Sequence, residues 1–194
     1  MKDEEQEVKR GFCFAAALFH ATNKQLPFGI FRNLVGSVIP EQELGNYQMS
    51  VLEKVAGKKD IYSAHNLPQE KAESSGTKRE LNKKTRVLVQ GLRGSDYLKS
   101  GVTHSLLVIN YAYGNQVKHA EAIFNGPGNS IISFDTMRPP ETWMKRITPR
   151  ETGSIIKDAW SKSCIAVVAW PDKDGEKPDL GKAFSPVIRN RRGT

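Results

Sequence analysis

Two strand-like runs, QVKHAEAIF at residues 116–124 and SIISF at 130–134, are joined by the dense turn cluster NGPGN at 125–129. A short connection rich in Gly, Pro and Asn makes the pair an antiparallel hairpin. In such a hairpin the start of one strand lies beside the end of the next. His119 sits near the start of the first run, and Asp135 directly follows the second. Sixteen positions apart in the chain, they become neighbours in space.

The rest of the chain organises around that hairpin. SLLVINYAY (105–113) reads as a strand entering it through the turn at Gly114-Asn115, and RVLVQ (86–90) as a shorter strand before it. CIAVVAW (164–170) is apolar throughout, which suits a central strand. The N-terminal third has helical spacing instead. CFAAALFHAT presents Phe14, Leu18 and Ala21, with Ala17 beside them, on one face. A second helix starts at Pro27, with Phe28, Phe31, Leu34 and Val35 inward and Gly36 as a stop. A third runs from about Asn46 to Ala56, with Tyr47, Val51, Leu52 and Val55 inward and Gly57 as its C-terminal cap. Residues 57–85 are polar and lysine-rich and read as a long surface loop. Helices first and antiparallel strands second predict an α+β layout. It divides into a helical lobe over about 11–57, a polar loop, a β lobe over about 86–171 and a basic extension from 172 to 194.

With 194 residues and 38% hydrophobic content, the chain has material for one core. No apolar run approaches the roughly 20 residues that span a bilayer, and MKDEEQEVKR lacks the apolar stretch of a secretory signal. Two cysteines make no disulfide scaffold, which suits a reducing compartment. A closed zinc site would consume nearly all of the four histidines and two cysteines, so no metal or other cofactor is expected. The net charge of +8 is concentrated in KRELNKKTR (78–86) and in the tail from Lys182 to Arg192. Neither stretch alternates bases with aromatics, and no nucleic-acid-binding signature accompanies them, so they read as solvated basic loops open to anion or acidic-protein contact.

Cys13 lies at the expected start of the first helix, where unpaired N–H groups and the positive dipole end lower a thiol pKa. A cysteine nucleophile needs a base and a group that orients the base. His119 and Asp135 supply both if the helix packs against the hairpin. The competing histidines fit less well. His104 has no carboxylate at hairpin spacing, His20 lies about two turns beyond Cys13 on the same helix, and His65 falls in the polar loop. Cys164 opens an apolar strand and reads as core. Taken alone, Cys13 is equally a small buried hydrophobe, His119 a half-buried strand residue and Asp135 a turn carboxylate. Trp143, shortly after Asp135, is either a shield for the Asp–His pair or an ordinary tryptophan.

The order of these residues resembles the papain-like cysteine peptidases, and most of all the leader proteinases of picornaviruses of the aphthovirus and erbovirus type. The resemblance rests on Cys13 followed by aromatic Phe14, on LPFGIFRNLVG and SVLEKVAG, on His119-Ala120, on Asp135 after an Asn-Gly turn, and on IAVVAWPDKD. It implies a papain-like fold with a helical lobe bearing Cys13 and a sheet lobe bearing His119 and Asp135. It implies peptide-bond hydrolysis through an acyl-thioester, release from a polyprotein by cutting at the chain's own C-terminus, and action in a host cytoplasm. It further implies host substrates, a translation-initiation scaffold protein and ubiquitin-like modifiers, and a monomer or weak dimer through the tail IRNRRGT. No membrane or specific nucleic acid is among the implied partners. The clan's usual amide side chain a few residues before the cysteine is absent, leaving Gln6 and the backbone N–H of Cys13 as oxyanion donors.

Two other readings accompany this one. Bacterial effector peptidases and glutamine deamidases share the Cys, His, Asp order and act on host proteins. A non-catalytic basic protein that binds a host factor also accounts for the two basic stretches.

Overall fold

The computed structural model describes residues 2–35, 39–56, 61–63, 79, 82–83, 85–86, 89, 102–111, 117–162 and 164–171. Three helices come first: α1 (Lys2–Ala21), α2 (Phe28–Leu34) and α3 (Glu41–Ala56). There follow β1 (Ile61–Ser63), β2 (Val102–Tyr111), β3 (Val117–Gly126), β4 (Ser130–Phe134), β5 (Met144–Ile147), α4 (Pro149–Lys162) and β6 (Cys164–Pro171). The strands form one six-stranded sheet in the order β1-β6-β2-β3-β4-β5, and every pairing is antiparallel. The expected α+β class therefore holds, as do the expected strands over their described residues, 105–111, 117–124, 130–134 and 164–170.

The hairpin forms as its turn residues require. Ala122 pairs with Phe134 and Gly126 with Ser130. Gly128, at φ +65°, takes the left-handed conformation that a glycine adopts without cost. A Cβ on Gly126 would lie 2.5 Å from Ile132, so the strands close tightly only on a bare glycine.

Side-chain alternation splits the sheet between two cores. Leu107, Ile109, Ala120, Ala122, Phe134, Ala166 and Val168 pack with the buried faces of α1, α2 and α3. Leu106, Val108, Ile123, Ile131, Ile147 and Ile165 pack with Ile156 and Ala159 of α4. Where α1 crosses β3, both surfaces are small: Ala15, Ala16 and Ala17 on the helix, Ala120 and Ala122 on the strand. Small facing residues let the backbones approach closely and bring the middle of α1 to the start of β3. On its other side α1 meets α2 at Gly11, where a Cβ would stand 3.0 Å from the Leu34 carbonyl oxygen.

Several expectations are corrected. The first helix begins at Lys2, not beside Cys13. DEEQEVKR consists almost wholly of good helix formers, with Glu5 and Lys9 at favourable i,i+4 spacing, and no stop signal precedes Gly11. Phe28, expected inward, is 79% exposed, while Ile30 and Leu34 form the buried face of α2. The third helix starts at Glu41 rather than near Asn46. In RVLVQ the two described residues, Arg86 and Val89, are helical rather than extended, as are Arg79, Asn82, Lys83 and Thr85 within the presumed loop. A short apolar run does not distinguish a strand from a buried helical turn. The 164–170 strand is flanked on both sides but lies one place from the sheet edge, not at its centre. Helix α4 and strands β1 and β5 were not anticipated. Gly36, Gly57, His65, the side chain of Cys164 and the basic tail lie outside the described residues.

Candidate active site

Cys13, His119 and Asp135 converge. The Cys13 side chain contacts the imidazole of His119, and His119 Nε2 lies 2.8 Å from Asp135 Oδ1. The ring N–H does not aim along that line, so the contact is a close charge pairing without an aligned hydrogen bond at Nε2. Cys13 is 3% exposed, and the His119 and Asp135 side chains 18% and 17%.

Local structure accounts for each position. The β3–β4 register, extended one residue past Ala122↔Phe134, sets Asp135 across from Glu121 and diagonal to His119. In the β2–β3 pairing Asn110 lies opposite His119 but Tyr111 opposite Val117, which makes Lys118 the extra residue of a bulge directly before His119. A bulge bends its strand and re-aims the neighbouring side chain.

The carboxylate is held from several sides. Asp135 Oδ1 accepts the Met137 backbone N–H at 2.8 Å, and Oδ2 lies 3.8 Å from Arg138 Nε. The backbone N–H of Asp135 donates to the Trp143 carbonyl at 2.9 Å, while the Trp143 indole donates to the Arg138 carbonyl at 3.0 Å. Arg138 also donates to Ser133, through Nη2 to Oγ at 2.7 Å and through Nη1 to the carbonyl at 3.2 Å. Ser133 in turn donates to Glu121, which lies 3.5 Å from Arg138 Nη2.

This network sets the ionisation states. Burial acts against a charged imidazole, but the contacts with Asp135 and Cys13 outweigh it and raise the His119 pKa to about 9. Burial acts against the Asp135 carboxylate too, yet His119, the Met137 amide and Arg138 hold it below its ordinary value. Glu121 is shifted upward by burial, with Ser133 pulling the other way, Asp135 adding to the rise, and Arg138 and His119 opposing it. At neutral pH the centre thus holds an imidazolium between a carboxylate and a sulfur.

The other sequence candidates are placed elsewhere. His20 stacks on Phe124 and lies with its ring centroid 4.2 Å from that of Phe134. Burial, aided by Lys24, lowers its pKa to about 4, so it is a neutral aromatic partner. His104 lies within β2, third from its start. Trp143 packs on Phe12 and Phe134 beside Asp135. Cys13 is the twelfth residue of α1, so a free helix N-terminus does not act on its sulfur. Its backbone N–H falls where helical bonding engages it, which removes the expected oxyanion donor. Gln6 lies seven residues earlier on α1, about 10 Å along the axis, and its side chain is outside the described residues.

Residues that the sequence reading passed over are those around the carboxylate: Glu121, Ser133 and Arg138. The available signal was Ser133, a polar residue in the apolar run SIISF, which proves fully buried. Beside the site, Phe12, Phe19, Phe31, Phe134 and Trp143 line an apolar cleft of about 570 Å³. Among the described residues no group of His, Cys, Asp and Glu is arranged to hold a metal ion. No family model, curated protein or solved structure matches the chain.

Proposed function

We propose that this chain is a cysteine hydrolase acting on polypeptides, with Cys13 as nucleophile, His119 as proton carrier and Asp135 as the group that orients and charges it. The observation that carries the reading is the contact of one imidazole with both the Cys13 sulfur and the Asp135 carboxylate. A cation beside a sulfur is the arrangement that produces a nucleophilic thiolate. In this scheme the thiolate attacks the scissile carbonyl carbon and forms a C–S bond. The imidazolium protonates the departing amine as the C–N bond breaks. The neutral imidazole then takes a proton from water, whose oxygen attacks the thioester, and the thiolate leaves. The apolar cleft offers a place for an apolar substrate side chain next to the reacting centre.

The finer reading, a papain-like fold of the picornavirus leader type with its own precursor and host proteins as substrates in a host cytoplasm, rests on the sequence resemblance. The helices-then-sheet order and the origin of the three residues are compatible with it. A glutamine deamidase would use the same three residues on a side-chain amide.

The 3% exposure of Cys13 favours a second reading, in which the three residues are a buried polar tie between α1 and the hairpin of a non-catalytic protein. A thiol-reactive probe near neutral pH separates the two. Catalysis expects Cys13 to react faster than a model thiol in a Cys164→Ser background. It also expects Cys13→Ala to abolish cleavage of peptides and of a chain extended past Thr194, a loss on the order of 10³-fold or more. Slow modification of Cys13 together with unaltered cleavage by Cys13→Ala overturns the assignment. A mass gain of about one unit on a protein substrate without fragments identifies the deamidase, since an amide NH₂ is replaced by OH.

A further inference from the structure

We propose that the groove between α4 and the helical residues around Thr85 binds a compact polyphosphorylated ligand. The groove encloses about 850 Å³ and is lined by Arg79, Lys83, Arg86, Arg150 and Lys157. Among the described residues, no carboxylate and no aromatic ring belongs to its lining. Among the described residues, none of these five cations is paired with an acid. Asp158 follows Lys157 on α4 but does not line the groove.

A second observation concerns Thr85. It lines the same groove and is 5% exposed, yet its hydroxyl has no hydrogen-bond partner. A buried hydroxyl without a partner costs about 1–3 kcal/mol, and a ligand oxygen reaching it would recover that cost. Across the groove Gly153 presents no side chain: a Cβ there would meet Thr85 Cγ2 at 3.9 Å.

The chemistry selects the ligand class. Arg79, Arg86 and Arg150 carry planar forks that engage phosphate oxygens in pairs, and two lysines add point charges. One phosphate does not use five cations, so several phosphates close together are needed. The described lining residues offer no aromatic stacking surface of the kind a single-stranded nucleic acid requires. The volume lies within the range of small-ligand pockets, about 300–1,000 Å³. Arg79, Lys83 and Arg86 of the KRELNKKTR stretch thereby gain a role apart from the Cys13 centre. Nearby Val89 packs against the second core, on the α4 side of the sheet.

The test is titration of the full chain with inorganic tripolyphosphate, read by calorimetry and by thermal unfolding. Saturable binding at one site, a raised Tm and an affinity that falls with salt are expected. Arg86→Glu with Lys157→Glu should weaken binding roughly 100-fold, about tenfold per lost charge-assisted contact. Lys54→Glu with Arg146→Glu makes the same change of net charge on exposed positions outside the groove and should leave affinity within about twofold. Thr85→Val keeps the shape and removes the hydroxyl. It should weaken binding severalfold while raising the Tm of the free protein. Equal losses in the two double variants, or no saturable site, overturn the proposal. So does tighter binding of a single-stranded oligoribonucleotide than of tripolyphosphate. Where Arg86→Glu unfolds the chain, Lys157→Gln and Thr85→Val carry the same comparison.

Discussion

The His119 centre and the α4 groove are both rich in ionisable groups, yet they handle charge in opposite ways. Around His119 each charge has a counterpart within about 4 Å: Asp135 for the imidazole, Arg138 for Asp135 and Glu121. In the groove five cations face one another without an acid among the described lining residues. The first arrangement spends its electrostatics internally, fixing side-chain positions and moving pKa values. The second leaves its field directed outward, where only a ligand can neutralise it. Local compensation marks a site that does something to what it holds; uncompensated charge marks one that simply holds it.

Asp135→Asn breaks the first arrangement most severely. The His119 titration, followed by NMR of the imidazole protons, should fall from about 9 toward the ordinary 6.5. Hydrolysis should drop by roughly 10²–10⁴-fold, the span of general acid–base contributions. Lys157→Gln in the groove should move neither. The same shifts make stability depend on pH. The raised His119 value contributes stability that is complete below about pH 6.5 and lost as pH rises through about 9. The lowered Asp135 value contributes stability present above the ordinary carboxylate range and lost as pH falls through the depressed value. Chemical denaturation across pH should therefore show a decline from 6.5 to 9 that His119→Ala removes.

Arg138→Gln is a milder test of compensation. It withdraws the charge from Asp135 and Glu121 and the bonds to Ser133. The Asp135 pKa should rise, and, because the carboxylate loses its brace and loosens from the imidazole, the His119 pKa should fall by less than in Asp135→Asn, with a stability loss of about 1–3 kcal/mol. If His119 titrates unchanged, Arg138 braces the fold without tuning the site. Gly11→Ala should have the smallest effect on the site, leaving the His119 titration unchanged and costing stability alone, about 1–3 kcal/mol, through its contact with the α2 backbone. Its unfolding should shift with little change in groove affinity.

The hairpin was legible in the sequence because turn chemistry and strand pattern agree there. NGPGN admits one connection, and the register of two short strands then places His119 beside Asp135. The position of Cys13 within its helix was not legible from Gly11 and Phe12, since a run of charged helix formers continues a helix upstream without any apolar signal. Helix α4 did carry a signature: Thr148 and Glu151 form a reciprocal capping box, with N–H to carboxylate at 2.7 Å and N–H to hydroxyl at 3.1 Å. Thr-Pro-Arg-Glu before an apolar pair spells that box. Arg138 escaped notice because its role depends on a turn folding back over β3 and β4, which local pattern does not encode.

One rod carries both the sulfur and a wall of the apolar cleft: Cys13 sits on α1 with Phe12, Ala16 and Phe19. Such coupling acts as a gear. Inserting one residue between Cys13 and Ala16 would turn one part against the other by about 100°, so the sulfur and the cleft wall would no longer face the same space. Length changes in this stretch are thus barred even where every side chain is kept, whereas point substitutions that respect size are not.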